Sequence, residues 1–523
     1  MCNPRQENPV SSSVREMPPN AVEDGLVTET PYKILYEERC GRLLVAGRDI
    51  QAGEILFTDL PGAVGPDTNP KPVCLNCYKR LPFLVYRCRH CSAPLCSPHC
   101  QTEDGHHQRE CQLFRRHAPR LHVEDFNKPC SWYNAIMVLR ILWLKENQPE
   151  TWHLLDILMD HLELQKPQSK RKNSIVDFIR NDCRLKEFSE REILHVIGVL
   201  DTNAYIICEN PNKDTDLQGL FPIMSILNHS CSSNTICFAN DDFSFTCRAV
   251  VGIREGEEIT TNYLHHHYHY YGTSYRLPEL EEFWHFRCGC SRCGDRRELG
   301  ADVDVLLCSQ CGGEVRSQGQ TWHCQACHAS PSREKVTETL NSHWEIIENI
   351  EKDDIDGMVE MIEKLSAIFH KNHYYILEVK RRYIEAVVDY EDLALSVLER
   401  KISYCRDHLT VQARLAPGLS EYRAYMSWNI AEPLYWTTKE KFLQKEITGE
   451  ELVRRMEEVA NHLLIVIQIW GPFRRRSSEW IVAEKARTLL EKVEEKYLHR
   501  DLGCQAEDVL QRRELKSYRS LDF

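Results

Sequence analysis

The chain has no long apolar run. Its longest, residues 463–470, falls far short of the roughly 20 residues that cross a bilayer, so no membrane partner is expected. Residues 1–20 are polar and rich in proline and serine, without the apolar core of a signal peptide. An intracellular protein is expected, cytoplasmic or nuclear. Positive charge is also in short supply: 65 Lys and Arg stand against 78 Asp and Glu, and the net charge of −13 is spread along the chain. That balance argues against nucleic acid as a partner and fits a basic peptide better. No recognition-helix pattern accompanies the cysteines, so a zinc-finger DNA-binding protein is a poor reading.

Cysteine is plentiful, 24 in 523 residues. Most occur in close pairs such as Cys-x2-Cys. In a reducing compartment such pairs read as zinc ligands rather than disulfides. The length exceeds what one hydrophobic core supports, and roughly three or four units are expected.

Composition and periodicity divide the chain into an α+β, multidomain arrangement. Residues 1–30 read as a flexible leader. Residues 31–66 look β-rich, with apolar clusters at Ile34-Leu35, Leu43-Leu44-Val45 and Ile55-Leu56-Phe57 punctuated by the turn Gln51-Ala52-Gly53-Glu54. A cysteine module fills 74–111, a mainly helical stretch 112–199, and a second cysteine module 300–330. The region 333–523 is helical. Its paired patterns, such as Ala394-Leu395-Ser396-Val397-Leu398, resemble tetratricopeptide stacking, and a generic helical bundle fits equally well. The short basic runs Lys170-Arg171-Lys172 and Arg474-Arg475-Arg476 are weak nuclear-import candidates.

In the first module, Cys74-x2-Cys77, Cys88-x2-Cys91, Cys96-x3-Cys100 and His107-x3-Cys111 supply seven cysteines and one histidine. That suffices for two closed tetrahedral zinc sites. His106 competes with its neighbour His107. In the second module, Cys308, Cys311, Cys324 and Cys327 form two knuckles of a zinc ribbon, whose role stays open.

Three further blocks occur in a telling order: Asn228-His229-Ser230-Cys231, then Gly256-Glu257-Glu258-Ile259 with Tyr263, then Cys288-x-Cys290-x2-Cys293. Together they resemble the carboxyl half of a SET domain, the fold that methylates lysine from S-adenosylmethionine. Upstream, Gly41-Arg42-Leu43-Leu44 followed by Ala52-Gly53-Glu54 resembles the first SET motif. The intervening cysteine module resembles a MYND finger. A SET domain split by a MYND finger is the signature of SMYD-type methyltransferases, and the Gly-Arg-x-Leu variant is similar to a divergent, SmydA-like branch.

The resemblance implies a β-rich SET core in two parts, 31–66 and 200–275, a finger, a helical insert, a post-SET zinc site at 276–295, the ribbon, and a helical tail forming one wall of a substrate cleft. It implies a protein-lysine N-methyltransferase, acting as a monomer on a protein or peptide with a target lysine. The finger would take proline-rich peptides, or its basic residues Lys79, Arg80, Arg87 and Arg89 form only a solvated face. The rival is an inactive adaptor that keeps the fold. About four zinc ions are implied. In the finger, Cys74, Cys77, Cys96 and Cys100 would hold one, and Cys88, Cys91, His107 and Cys111 another, with His107 preferred because its spacing matches the family. Cys231, Cys288, Cys290 and Cys293 would hold the third, and the ribbon the fourth. Tyr263 would be catalytic. Gly41, Arg42, Asn203, Asn228, His229 and Phe286 would bind S-adenosylmethionine. Two residues depart from the family. Ser233 replaces proline. Leu43 stands where a glycine lets the backbone approach the cofactor, so Leu43→Gly is expected to strengthen cofactor binding. The tract His265-His266-His267-Tyr268-His269 reads as a solvated loop or a peptide entrance.

Overall fold

The computed structural model describes residues 15–16, 30–38, 41–81, 85–102, 104–164, 169–208, 216–264, 269–318, 321–388, 390 and 393–498. Most of the expected leader, the tract 265–268 and the stretch 499–523 lie outside them.

The principal sheet has five strands in the order Arg15–Glu16, Tyr32–Glu37, Gly41–Ala46, Glu258–Thr261, Asn228–His229. Apolar side chains on one face drive this register. Leu44, Ala46 and Ile259 join Ile226, Leu227 and Phe221 in a single buried cluster. Leu44 pairs with Ile259 and Val45 with Glu258 across the antiparallel edge. On the far edge, Asn228 and His229 pair in parallel with Thr260 and Thr261. Three sequence blocks scattered over some two hundred residues thus become neighbours in one sheet. Leu43 is an interior strand residue, buried and paired with Leu35. Two smaller sheets complete the β core: Thr235–Ala239, Phe245–Ala249 and Ile55–Asp59, and Ala63–Pro66, Leu217–Leu220 and Tyr205–Cys208.

The finger is not a pendant module. Its residues Val73, Leu75, Leu95 and Phe114 share one core with Trp132, Ile136, Leu139 and Phe178 of the helical insert. The helix Ile136–Asn147 is buried over most of its length and sends Arg140 into the finger. The helix Glu190–Asn203 opens on a reciprocal cap between Ser189 and Glu192, and the chain passes from it into Tyr205–Cys208.

The ribbon packs with the helices that follow it. Cys308, Val315 and Trp322 lie in the same core as Phe369, Tyr374 and Leu377, and Leu307 N donates to Ile368 O at 2.7 Å. The long helices Leu395–Leu415, Glu421–Leu443 and Gly449–Trp470 pack in sequence, and this bundle docks on the β core. Arg248 donates to the carbonyls of Gln468 (3.1 Å) and Ile469 (3.0 Å), Ser232 Oγ to that of Leu415 (2.9 Å), and Phe238 stacks on Phe473. The turn at Gly418 comes so close that a Cβ there would sit 2.0 Å from the Val250 carbonyl oxygen. Both basic runs are engaged in the fold: Arg171 and Lys172 pair with Asp201, and Arg474 lies over the Phe243 ring. No helix among the described residues is long and apolar enough to cross a membrane.

Candidate active site and metal centres

Tyr263 follows the strand Glu258–Thr261, beside Asn228–His229. Its hydroxyl donates to the Leu227 carbonyl at 2.6 Å, and its backbone N–H donates to His229 Nδ1 at 2.9 Å. An accepting Nδ1 puts the His229 proton on Nε2, which lies 3.2 Å from Cys231 Sγ. One imidazole therefore ties the tyrosine's backbone to a cysteine of the post-SET cluster. Around the phenol stand Trp284 (5.6 Å between ring centroids), His229 (5.3 Å) and Phe286 (6.3 Å, edge to face). Burial among these rings pushes the Tyr263 hydroxyl pKa up, with the Glu258 carboxylate adding to it, so the phenol is protonated at neutral pH.

The other expected cofactor residues lie along one edge. Asn228 Nδ2 donates to Glu258 Oε1 at 2.9 Å and to the Arg42 carbonyl at 3.4 Å. Gly41 has φ +71°, which favours glycine, and a Cβ on it would meet nothing within 4 Å. Asn203 closes its helix, its Nδ2 donating to the carbonyls of Val199 and Met159, both at 2.8 Å. Sequence reasoning missed the loop that these residues share. Residues 157–161 of the insert accept from Arg42 at Ile157 O (2.8 Å) and from Asn203 at Met159 O, and the His161 ring meets that of His285, next to Phe286, at 5.0 Å. Asp160 anchors the loop by accepting from His195 Nδ1 at 2.6 Å. Nothing in the local pattern of this segment marks it, because its role comes from contacts with distant residues. Tyr205 was missed too. Its hydroxyl donates to Met224 O at 3.1 Å, and burial, then the proximity of Tyr263, raises its pKa.

Four sets of four ligands converge, each with its donor atoms within 4.8 Å of one another: Cys74, Cys77, Cys96 and Cys100; Cys88, Cys91, His106 and Cys111; Cys231, Cys288, Cys290 and Cys293; Cys308, Cys311, Cys324 and Cys327. All fifteen cysteines are free thiols. Sulfur separations of 3.5 to 4.0 Å recur among them, as between Cys96 and Cys100, Cys88 and Cys111, or Cys231 and Cys288. Zinc–sulfur bonds near 2.3 Å give a tetrahedral edge of about 3.8 Å, so the donor sets fit zinc in type and size.

One ligand differs from expectation. The histidine in the second set is His106, not His107. His106 is fully buried, with Nε2 3.3 Å from Cys91 Sγ and Nδ1 2.7 Å from Glu110 Oε1. Glu110, four residues on, pairs in turn with Arg140 at 2.6 Å. Burial alone would raise the Glu110 pKa, but Arg140 and His106 hold it at about 2. This carboxylate orients the ring of His106, four residues before it, and takes up the charge of Arg140. The side chain of His107 lies outside the described residues.

A β core with an aromatic-walled tyrosine, an asparagine at its strand edge and a closing cysteine cluster defines a SET-domain protein. Residues 41–264 match the SET domain family. The SET domain-containing protein SmydA-8, isoform A, of Drosophila melanogaster is 28% identical over 403 residues, covering 72% of this chain and 83% of the relative. The histone-lysine N-methyltransferase Smyd1 of Mus musculus is 23% identical over 378 residues, covering 66% and 70%. The chain is thus similar to SMYD-type SET-domain proteins, SmydA-8 among them, over most of its length. A solved structure of Rubisco LSMT bound to AdoMet aligns over 94% of each chain at 12% identity with a TM-score of 0.28, a level from which no shared detail follows.

Proposed function

We propose that the chain is a protein-lysine N-methyltransferase that uses S-adenosylmethionine. The observation that carries this reading is the Tyr263 hydroxyl, buried among Trp284, Phe286 and His229 and aimed at the Leu227 carbonyl. S-adenosylmethionine, when bound, supplies a methyl group on a sulfonium. Gly41, Arg42, Asn228, His229, Phe286 and the Oδ1 of Asn203 would hold it, together with the 157–161 loop. The open space beside Gly41 fits a ligand lying along that backbone.

The protein's own part is positioning and desolvation. An apolar, aromatic channel disfavours the ammonium form of an entering lysine, so the amine sheds its proton to water before it is sealed in. The protonated Tyr263 phenol and the Leu227 carbonyl form a fixed dipole pair that orients the amine. His229 and the post-SET cluster fix the height of Tyr263 relative to Phe286.

The adaptor reading rests on the sequence departure at Leu43, where the resemblance implies glycine; its side chain is buried in the sheet. Calorimetric titration with S-adenosylmethionine separates the two. Saturable binding to wild type supports the enzyme, and its absence in the zinc-replete, folded protein decides for the adaptor.

A further inference from the structure

Glu378 lies on the helix Tyr374–Ala386 of the helical region and is 2% exposed. Its carboxylate accepts from the hydroxyls of Tyr270 (2.8 Å) and Tyr271 (3.2 Å) on one side. On the other it accepts from Arg381 (3.0 and 2.7 Å) and Arg382 (2.8 Å). Burial would raise its pKa, but these guanidiniums hold it at about 2, so it is charged at neutral pH. Hydroxyls donating to an ionised acceptor make stronger, more directional bonds than neutral pairs.

The two tyrosines are not ordinary parts of the bundle core they join. They follow Tyr263 in the chain and immediately precede Gly272 and the helix Thr273–Trp284. That helix ends at Trp284, whose ring packs on Tyr263, and Phe286 comes two residues later. The backbone here is gripped from below as well. Tyr271 O accepts from Arg276 and from Arg292 (2.7 Å), both paired with Glu298, and Arg276 Nη2 lies 3.5 Å from Cys293 Sγ. The start of the closing segment is thus held between the post-SET cluster and one carboxylate of the helical region.

We infer that Glu378 is a positioning residue: acting through Tyr270 and Tyr271, it sets where the segment carrying Trp284 and Phe286 closes on Tyr263. The inference rests on the methyltransferase reading above and adds the polar contact through which the helical region reaches the closing segment.

The test uses the full-length, zinc-replete chain with Tyr270→Phe and Tyr271→Phe combined. This leaves Glu378 with both arginines, so no buried charge is stranded. Tyr383→Phe is the control. It removes a hydroxyl that donates to Val397 O at 3.3 Å from the same helix and touches none of the clamp. In the double variant, amide hydrogen exchange over residues 273–287 rises about tenfold. S-adenosylmethionine binds about tenfold more weakly. Tyr383→Phe changes neither. Unchanged exchange over 273–287 in the double variant, or an equal rise in the control, overturns the clamp. Wild type that takes up no S-adenosylmethionine overturns the methyltransferase reading and this role with it. Exchange still reports the clamp in that case, so the two failures are told apart.

Discussion

Tyr263 combines two properties that a transfer site needs. Its phenol stays protonated because burial and Glu258 oppose ionisation, and its hydroxyl already has a fixed partner in the Leu227 carbonyl. Tyr263→Phe keeps the ring packed against Trp284 and Phe286 while removing that group. An interaction made mainly in the transition state lowers turnover and spares ground-state binding. The expected outcome is a rate loss of a hundredfold or more, about 3 kcal/mol, with cofactor affinity nearly unchanged. Radiolabelled methyl transfer to a protein extract, run beside calorimetry, checks both. Leu43 shows a different logic. As an interior strand residue paired with Leu35 it packs rather than lines a loop. Glycine there loses the buried side chain and frees the backbone, at a combined cost of about 3 kcal/mol or more. Leu43→Gly is therefore expected to lower the thermal midpoint rather than tighten cofactor binding, which a melting curve with and without S-adenosylmethionine measures.

Among the elements, the finger and the helical insert behave as one. A histidine ligand braced by Glu110, which is itself neutralised by an arginine from the neighbouring helix, makes metal binding and insert packing a single event. His106→Ala is expected to reduce the zinc content from four ions to three and to destabilise the protein. His107→Ala should leave four. Elemental analysis of the two purified variants decides between the adjacent histidines. The sequence carried the eight finger ligands up to this one-residue ambiguity, because spacing restricts which side chains can converge but does not say which face of a helical turn points inward. That choice belonged to Glu110 and Arg140, and the Arg140 partner lies in another element. The 157–161 loop was illegible for the same reason. Its carbonyls matter because Arg42 and Asn203 reach them, and no local periodicity encodes that.

In the whole molecule the helical region is bolted to the β core through polar groups, and a buried histidine that links its own helices gives it an acid sensitivity. His408 is fully buried. Its Nε2–H donates to Leu377 O at 3.0 Å, and its Nδ1 lies 2.9 Å from the Tyr422 hydroxyl, which donates to it when the ring is neutral. Burial, reinforced by Lys380 and Arg381, pushes its pKa down to about 3, although Glu378 pulls the other way. The unfolded chain takes up this proton near pH 6.5 and the folded chain only near pH 3. Stability is therefore lost as pH falls through that window, by roughly 2–3 kcal/mol at pH 4.5 from this group alone. His408→Gln is expected to lower the melting temperature at pH 7 and to flatten its fall between pH 6.5 and 4.5. A calorimetric pH series on wild type and variant measures the difference.

The sequence by itself determined the chemistry that depends on residue type and short spacing. Sixteen expected metal ligands included fifteen that converge, because short Cys spacing marks the pairs and the family resemblance supplies how the pairs combine. The ordered blocks around Asn228, Glu258 and Tyr263 were legible through their resemblance, in type and order, to the motifs of a SET domain. Only the tertiary structure decided which histidine enters the finger, that finger and insert share one core, and that Tyr270 and Tyr271 are held by a carboxylate more than a hundred residues away. Each of those outcomes turns on a buried charge finding its partner. Desolvation makes an unpaired one so costly that the whole fold, rather than the local sequence, must supply the match.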